Sequence, residues 1–299
     1  MTRVVVVGEA LVDVVHRTDG SVEELPGGSP ANVAITLGRL GRSPRLATCL
    51  GDDERGRTVR AWLGESDVEV LATPVGRTST ARAHLDADGA ATYDFDLAWD
   101  LGAGVVPAGD VLHVGSIAAL LEPGASAVLD AVRSAPGLVS YDPNARPTIT
   151  PDRAAACARV EEIVALSGIV KVSDEDLAWL RPDEAPADVA ARWSTIGPAV
   201  VVMTAGGDGS VIFRAGTEAA RVPVPRVDVV DTVGAGDTYT GALLDGLVEL
   251  DLTTVDALRA APDAEIVAVC THAAAAAAVT VSRAGANPPR RAELGRAVR

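Results

Sequence analysis

The segment 231–237, DTVGAGD, runs directly into TYTGALLDGLVEL and sets a carboxylate inside a glycine-rich turn that opens a helix. Gly234 and Gly236 free the backbone to turn sharply and present N–H groups. Leu243, Leu244, Leu247 and Leu250 recur at helical spacing and give the following helix an apolar face. Its N-terminus offers unsatisfied donors and a partial positive charge, a ready reception for phosphate. Asp237 stands where that phosphate would be received. In phosphoryl transfer to an alcohol, the acceptor gives up a proton while charge spreads over the transferring group. A carboxylate beside N–H donors supplies a base for the hydroxyl and an oxyanion site for the phosphoryl group. An acid in the first turn of a helix also complements the dipole without any chemistry. This segment alone does not separate the two readings.

A second polar cluster sits in LPGGSPANVAITLGRLG, 25–41. Ser29 is the expected N-cap, Pro30 suits the first helical position, and Gly41 ends the helix. Val33, Leu37 and Leu40 form its apolar stripe. Asn32 lies in the first turn beside Gly27 and Gly28, where backbone can approach a ligand closely, and its amide suits a pair of sugar hydroxyls. Read alone, the motif is a well-capped helix after a turn. Asp13, in GEALVDVV, follows a buried strand and is placed to accept from two hydroxyls. Without the other motifs it reads as a solvated loop acid. Two common nucleotide fingerprints fail: Tyr239 occupies the third glycine position of a dinucleotide turn, and Lys171, the only lysine, is not preceded by a Walker loop.

These residues need a scaffold. The runs 4–7, 111–115, 138–142, 169–173 and 200–203 are short and apolar, as strands buried on both faces are. Helical stretches at 30–40, 54–65, 123–134, 152–165 and 186–196 alternate with them. The alternation predicts an α/β fold with a doubly wound, mostly parallel sheet and right-handed crossovers. Residues 9–26 and about 78–97 break the scheme as strand, turn, strand, with Asp88-Gly89 a hairpin turn and alternation through Ala81, Ala83, Leu85 and Tyr93, Phe95, Leu97. They form either a small β lid over a site or a pair of edge hairpins. The six alanines at 273–278 fit a closely packed buried helix. The chain, 1–299, is expected to be one catalytic domain with these lid strands inserted.

Composition narrows the class. A net charge of −15 and a pI near 4.6 exclude a broad nucleic-acid surface or an anionic membrane patch. A local cluster of N–H groups still binds phosphate in an acidic protein. The 48% hydrophobic and 3% aromatic content predicts a core of valine, leucine and alanine. Cys49, Cys157 and Cys270 are far apart and read as reduced thiols, and the four histidines lack zinc-ligand spacing. No signal peptide and no run of about 18 apolar residues is seen, so a soluble, cytoplasmic protein is expected.

DTVGAGD and GGSPANVAITLGRLG together closely resemble the two signature segments of the PfkB/ribokinase family of carbohydrate kinases. GEALVD, DPNAR at 142–146, TAGGDG at 204–209 and VSRAGA at 281–286 fall in family order, so the resemblance spans essentially the whole chain. It implies a ribokinase-like fold and ATP-dependent phosphorylation of a small sugar, with Mg²⁺ and K⁺ as cofactors. Asp237 matches the catalytic base, and Gly234, Ala235 and Gly236 match the anion hole. Asp13, Gly27, Gly28 and Asn32 match sugar-binding positions. Thr204, Gly206 and Gly209 match a loop near the nucleotide. Asp231 matches a ligand of the monovalent cation, with backbone carbonyls from about 281–286. Arg146 resembles a basic residue near sugar and phosphates.

The sequence departs from the family in two places. The Asn-x-x-Glu motif appears as SDED, which places Ser173 and Asp176 at the nucleotide and leaves Mg²⁺ to Asp176 or to Glu175. Ala274 takes the place of an asparagine near the adenine, leaving base recognition to apolar contacts. GEALVDVV, the hairpin ARAHLDADGAATYDFDLAWD and DPNAR look most like fructokinases, with D-fructose the expected substrate and ribose or 2-keto-3-deoxygluconate the alternatives. A sensor on the same scaffold would have no use for the base. The lid's β layer offers a face for a homodimer partner, and no pattern in the sequence decides oligomeric state.

Overall fold

The computed structural model describes residues 2–16, 20–85, 91–102 and 104–294, the side chains of 84, 85 and 91–93 excepted. From the N-terminus, β1 (Val4–Val7), β2 (Leu11–His16) and β3 (Val22–Gly27) lead into α1 (Ser29–Arg39). There follow β4 (Arg45–Gly51), α2 (Glu54–Gly64), β5 (Glu69–Val75), β6 (Thr80–Leu85) and β7 (Ala91–Asp96). Next come β8 (Val111–Gly115), α3 (Gly124–Ser134), β9 (Leu138–Asp142), α4 (Arg153–Leu166), β10 (Ile169–Ser173), α5 (Asp174–Leu180) and α6 (Pro186–Trp193). The chain continues through β11 (Val200–Thr204), β12 (Ser210–Arg214), β13 (Thr217–Val222), α7 (Ala235–Glu249), α8 (Val255–Ala260) and α9 (Asp263–Val281).

Nine strands form one sheet in the order β13-β12-β11-β10-β9-β8-β1-β4-β5. From β11 to β5 every pairing is parallel, while β12 and β13 are antiparallel. The five apolar runs read from the sequence are all parallel strands of this sheet. Their burial on both faces is visible in β1: Val4 and Val6 belong to one core, with α1, α7 and α9, and Val5 and Val7 to the other, with α3 to α6. Strand order reverses beside β1, whose neighbours are β8 and β4. A crevice outside the carboxyl ends of the strands is therefore expected there.

The two irregular regions join into one separate four-stranded sheet, β3-β2-β6-β7, with a parallel pair β2–β6 at its centre. They are not edge hairpins of the main sheet. The Asp88-Gly89 turn and the side chains of Leu85 and Tyr93 lie outside the described residues. On the outer strand β3, Val22 and Leu25 are exposed. Asp53 fastens this sheet's root to the main body by accepting from the N–H of Thr78 at 2.8 Å and its hydroxyl at 2.7 Å.

The alanine run lies in α9, where each residue from 273 to 278 is buried or half-buried. By length and hydropathy α9 could cross a bilayer, but it packs along α7 with Ile266, Val269, Ala273 and Ala276 in the core. Asp245, fully buried on α7, accepts from Arg42 Nε at 2.6 Å and meets His272 Nε2 at 2.9 Å, joining the loop after α1 to α7 and α9.

Candidate active site

Gly234 caps α7 in the left-handed conformation at φ +73°, and a Cβ there would press on Ala286 Cβ at 2.5 Å. Glycine is thus required twice, by conformation and by space. Ala235, Gly236 and Asp237 form the first turn, where N–H groups have no partner within the helix. The N–H of Ala235 leans back on the Thr232 carbonyl at 3.3 Å.

Asp237 is buried and anchored on both oxygens. The Ser29 hydroxyl donates to Oδ1 at 2.7 Å and the Asn32 amide to Oδ2 at 2.8 Å. Both donors come from the first turn of α1. That helix can lie close to α7 because Gly241 faces Thr36: a Cβ on Gly241 would fall 2.5 Å from Thr36 Cβ. Burial raises the Asp237 pKa above the usual carboxylate value, while the Ser29 and Asn32 bonds lower it. A desolvated, positioned carboxylate of raised basicity has the properties of a general base. Ser29 is not the N-cap expected from the sequence. Gly28, at φ +111°, takes that place, and the serine hydroxyl is committed to Asp237 instead.

Around this pair the carboxyl ends of the parallel strands deliver further polar groups. Asp13 lies against Gly27, where a Cβ would come 2.2 Å from Asp13 Oδ2, so the missing side chain makes room for the carboxylate. Burial raises the Asp13 pKa to about 6. Asn144 donates to the Ser29 Oγ at 2.7 Å and extends the anchor chain to the loop after β9. Arg146 is exposed and donates to Asn144 Oδ1 at 2.6 Å, curled on its own loop and not against Asp237. Its charge still opposes the rise at Glu9 and Asp13.

Ser173 caps α5 by accepting the Asp176 N–H at 3.0 Å, and Asp176 Oδ1 accepts from the Ala145 N–H at 2.8 Å. Asp176 is half-buried and faces inward, whereas Glu175 is exposed. Thr204, Gly206, Gly209 and Ser210 line a cavity of about 290 Å³ that continues past Tyr239 to Ala274, Ala277, Ala278 and Val281. That far wall is apolar, as the alanine at 274 implied. Asp231 accepts from the N–H groups of Val233 at 3.0 Å and Gly285 at 2.8 Å, which hold its carboxyl below the ordinary value. Its backbone N–H reaches the Val281 carbonyl at 3.2 Å, so 231 and 281–286 are one local unit.

With this geometry in view, comparison with known proteins decides the family. The model for the pfkB family carbohydrate kinase matches residues 1–293. The chain belongs to the pfkB family of carbohydrate kinases. A curated fructokinase of Klebsiella pneumoniae is 33% identical to this pfkB kinase over 280 residues, covering 89% of this chain and 90% of that one. Among solved structures, the fructokinase from Vibrio cholerae in its fructose, ADP and calcium ion bound form superimposes with a TM-score of 0.82 at 28% identity, covering 98% of both chains. Aminoimidazole riboside kinase from Salmonella enterica, complexed with aminoimidazole riboside and an ATP analog, gives 0.83 at 27% identity, again over 98% of both. The fold is ribokinase-like, with the large sheet flanked by helices and the smaller sheet beside it, and the enzyme is an ATP-dependent carbohydrate kinase.

Four polar residues of this kinase's site escaped the sequence reading. Asp142, the first residue of DPNAR, and Lys171 sit in runs read as buried strands and were given no role at the site, and their pairing at 3.1 Å is visible only across neighbouring strands. Glu9 lies just after β1 at the reversal of strand order, buried, with Oε2 lacking a partner among the described residues. Asn144 was in view within DPNAR, but its link to Ser29 depends on a loop 115 residues away in sequence.

Proposed function

We propose that this kinase transfers the γ-phosphoryl group of ATP to the primary hydroxyl of D-fructose, giving fructose 6-phosphate and ADP. The observation that carries the reading is the buried Asp237 carboxylate, anchored by Ser29 and Asn32 at the mouth of a glycine-capped helix. The sugar lies under the four-stranded sheet against Asp13, Gly28 and Asn32. ATP lies along the cavity from Thr204, Gly206 and Gly209 to the apolar wall. Asp237 takes the proton of the sugar hydroxyl as the new O–P bond forms. The bond between the γ-phosphorus and the bridging oxygen breaks, and ADP leaves with its electron pair. N–H groups of the α7 first turn, at Gly236 and its neighbours, face the charge that develops on the transferring oxygens.

The residues present fit the two cations. Asp176, inward-facing and half-buried, would be the acid that organises Mg²⁺ brought with ATP, in preference to exposed Glu175. Mg²⁺ neutralises charge on the phosphate oxygens. Asp231, already tied to the 281–286 segment, is the carboxylate that faces K⁺. Arg146 offsets phosphate charge from the loop above.

Fructose is favoured by the fructokinases among the relatives, whereas the riboside kinase of similar architecture keeps ribosides in contention. The test is ADP release with Mg-ATP on D-fructose, ribose, 2-keto-3-deoxygluconate and aminoimidazole riboside, with and without K⁺. Fructose should give the highest kcat/KM, and a tenfold preference for another acceptor would overturn it. Tight sugar binding without turnover would instead make the chain a sensor. Asp237→Asn should keep sugar binding and lose about 10²–10⁴-fold in kcat.

A further inference from the structure

Lys171 is the only lysine of the chain, and it is buried to 6% exposure in the middle of a parallel strand. On β10, Ile169 belongs to the core beneath α1 and α7, so Lys171, two residues on, points to the same face. Its Nζ donates to Asp142 Oδ2 at 3.1 Å, and Thr240 of α7 donates to the same oxygen at 3.0 Å. The other oxygen, Asp142 Oδ1, is buried and has no partner among the described residues. Nζ also reaches the anion-hole turn: a Cβ on Gly236 would stand 3.1 Å from it. The ammonium thus lies directly under the N–H groups that receive the phosphoryl group.

We propose that Lys171 is a positioning residue for phosphoryl transfer, a fixed buried cation under the first turn of α7 that sets the charge of the anion hole and keeps Asp237 ionised. The inference rests on the kinase reading above. An ammonium taken out of water is costly, and one carboxylate partner suffices only to hold it there. Three carboxylates act on this one cation: Asp142 from β9, bonded to it at 3.1 Å, with Asp176 from α5 and Asp237 from α7. His113 on β8 faces it as well, and burial and the Lys171 charge lower its pKa to about 3, so it adds no positive charge at neutral pH. Glu9 approaches Asp237 from the β1 side, with Arg146 beyond. Among the described residues, Lys171 is therefore the cation of this cluster that lies against the Gly236 turn, and a preorganised charge there acts on the transferring group at no reorganisation cost. Its Nζ lies beside the space that the missing Gly236 side chain leaves.

The plain alternative is that Lys171 only neutralises Asp142. The discriminating set is wild type, Lys171→Met, Asp142→Asn and the double variant Asp142→Asn/Lys171→Met, assayed with Mg-ATP and the sugar that wild type phosphorylates best. If the charge serves the anion hole, the double variant falls about 10²-fold below Asp142→Asn in kcat, the scale of losing one oxyanion donor, with sugar KM little changed. Equal kcat for those two variants would overturn the proposal, and the double variant, which removes both partners of the buried pair, keeps it testable even where Lys171→Met alone does not fold. A second readout is independent of turnover. In the ligand-free enzyme with ¹³C-labelled aspartate, the Asp237 carboxyl, assigned with Asp237→Asn, should titrate at higher pH in the double variant than in Asp142→Asn. An unmoved titration would also overturn it. A wild type without turnover on any sugar would fail the kinase reading, while the carboxyl titration would still judge Lys171.

Discussion

Glu9 is a carboxyl with nowhere to put its charge. It is buried after β1, its Oε2 has no partner among the described residues, and burial raises its pKa from 4.5 to about 7. Between those two values the folded chain holds a proton that the unfolded chain has already lost. Stability from this group is therefore present at low pH and is lost as pH rises through about 7. The whole effect is on the order of 3 kcal/mol, at about 1.4 kcal/mol per tenfold. Thermal melting of the ligand-free enzyme should show it. The Tm drop from pH 5 to pH 8 should be larger in wild type than in Glu9→Gln, because the amide cannot ionise and His113 and Asp13 contribute equally to both. Parallel Tm–pH curves for the two proteins would refute the assignment. The same residue shows what sequence leaves out at this scale. Glu9, Asp142 and Lys171 stand inside or beside apolar runs, and nothing in a one-dimensional pattern says that β9 and β10 bring a lysine onto an aspartate. Asp237 was legible because a glycine turn and a helix announce it locally. Ser29 was legible as a helix-start residue, but its hydroxyl turned to a partner 208 residues away and left the cap to Gly28.

Among elements, the α1–α7 contact sets the geometry of Asp237, the proposed base. Ser29 and Asn32 reach Asp237 only because the two helices lie close, and they lie close only because position 241 has no side chain. Gly241→Ala should cost about 1–3 kcal/mol by overpacking. It should also lower kcat, since separating the helices stretches both bonds to Asp237. Urea unfolding and steady-state kinetics on the same protein check this, and a variant that matches wild type in both would show that the contact has slack. The strands most easily read from sequence were those buried on both faces, whose valine runs leave no alternative. β4 (RLATCLG) and β5 (EVLATPV) mix threonine, alanine and proline, and β12 and β13 pair antiparallel at the sheet's end. β4 and β12 are buried along most of their length, but small and polar residues interrupt or bound their apolar runs, while β5 and β13 are half-buried or exposed along most of theirs. The two hairpins were seen, but their union into one sheet through the β2–β6 pairing is a contact between segments far apart in sequence.

At the scale of the whole molecule, two sheets meet beside the proposed sugar site, joined by the chain at 8–10, at 28, at 76–79 and after 96, and by the Arg55–Glu24 ion pair between α2 and β3. The small sheet leaves the main body through Thr78, held by Asp53, and returns through Ala98, whose N–H donates to the Ser79 hydroxyl at 2.9 Å. Arg77 pairs with Asp96 across the same root. Short connecting segments between two intact sheets can take up a change of angle between them. Water is a better-supplied acceptor than any sugar, so a kinase whose base and anion hole are preformed needs the acceptor site covered before ATP reacts. Sugar binding should therefore slow backbone hydrogen exchange in 11–16, 22–27, 80–85 and 91–96, with little change in β1 and β8–β11, whose amides are already buried in the large sheet. In the same experiment, ATP hydrolysis without sugar should run at no more than about 1% of the rate with sugar, about 2.7 kcal/mol of barrier withheld until closure. Rapid sugar-free hydrolysis, or exchange in the small sheet that ignores the sugar, would mean that the four strands bind the substrate without gating the reaction. An intact exchange response with unrestrained hydrolysis would show that the small sheet responds to the sugar without controlling the reaction.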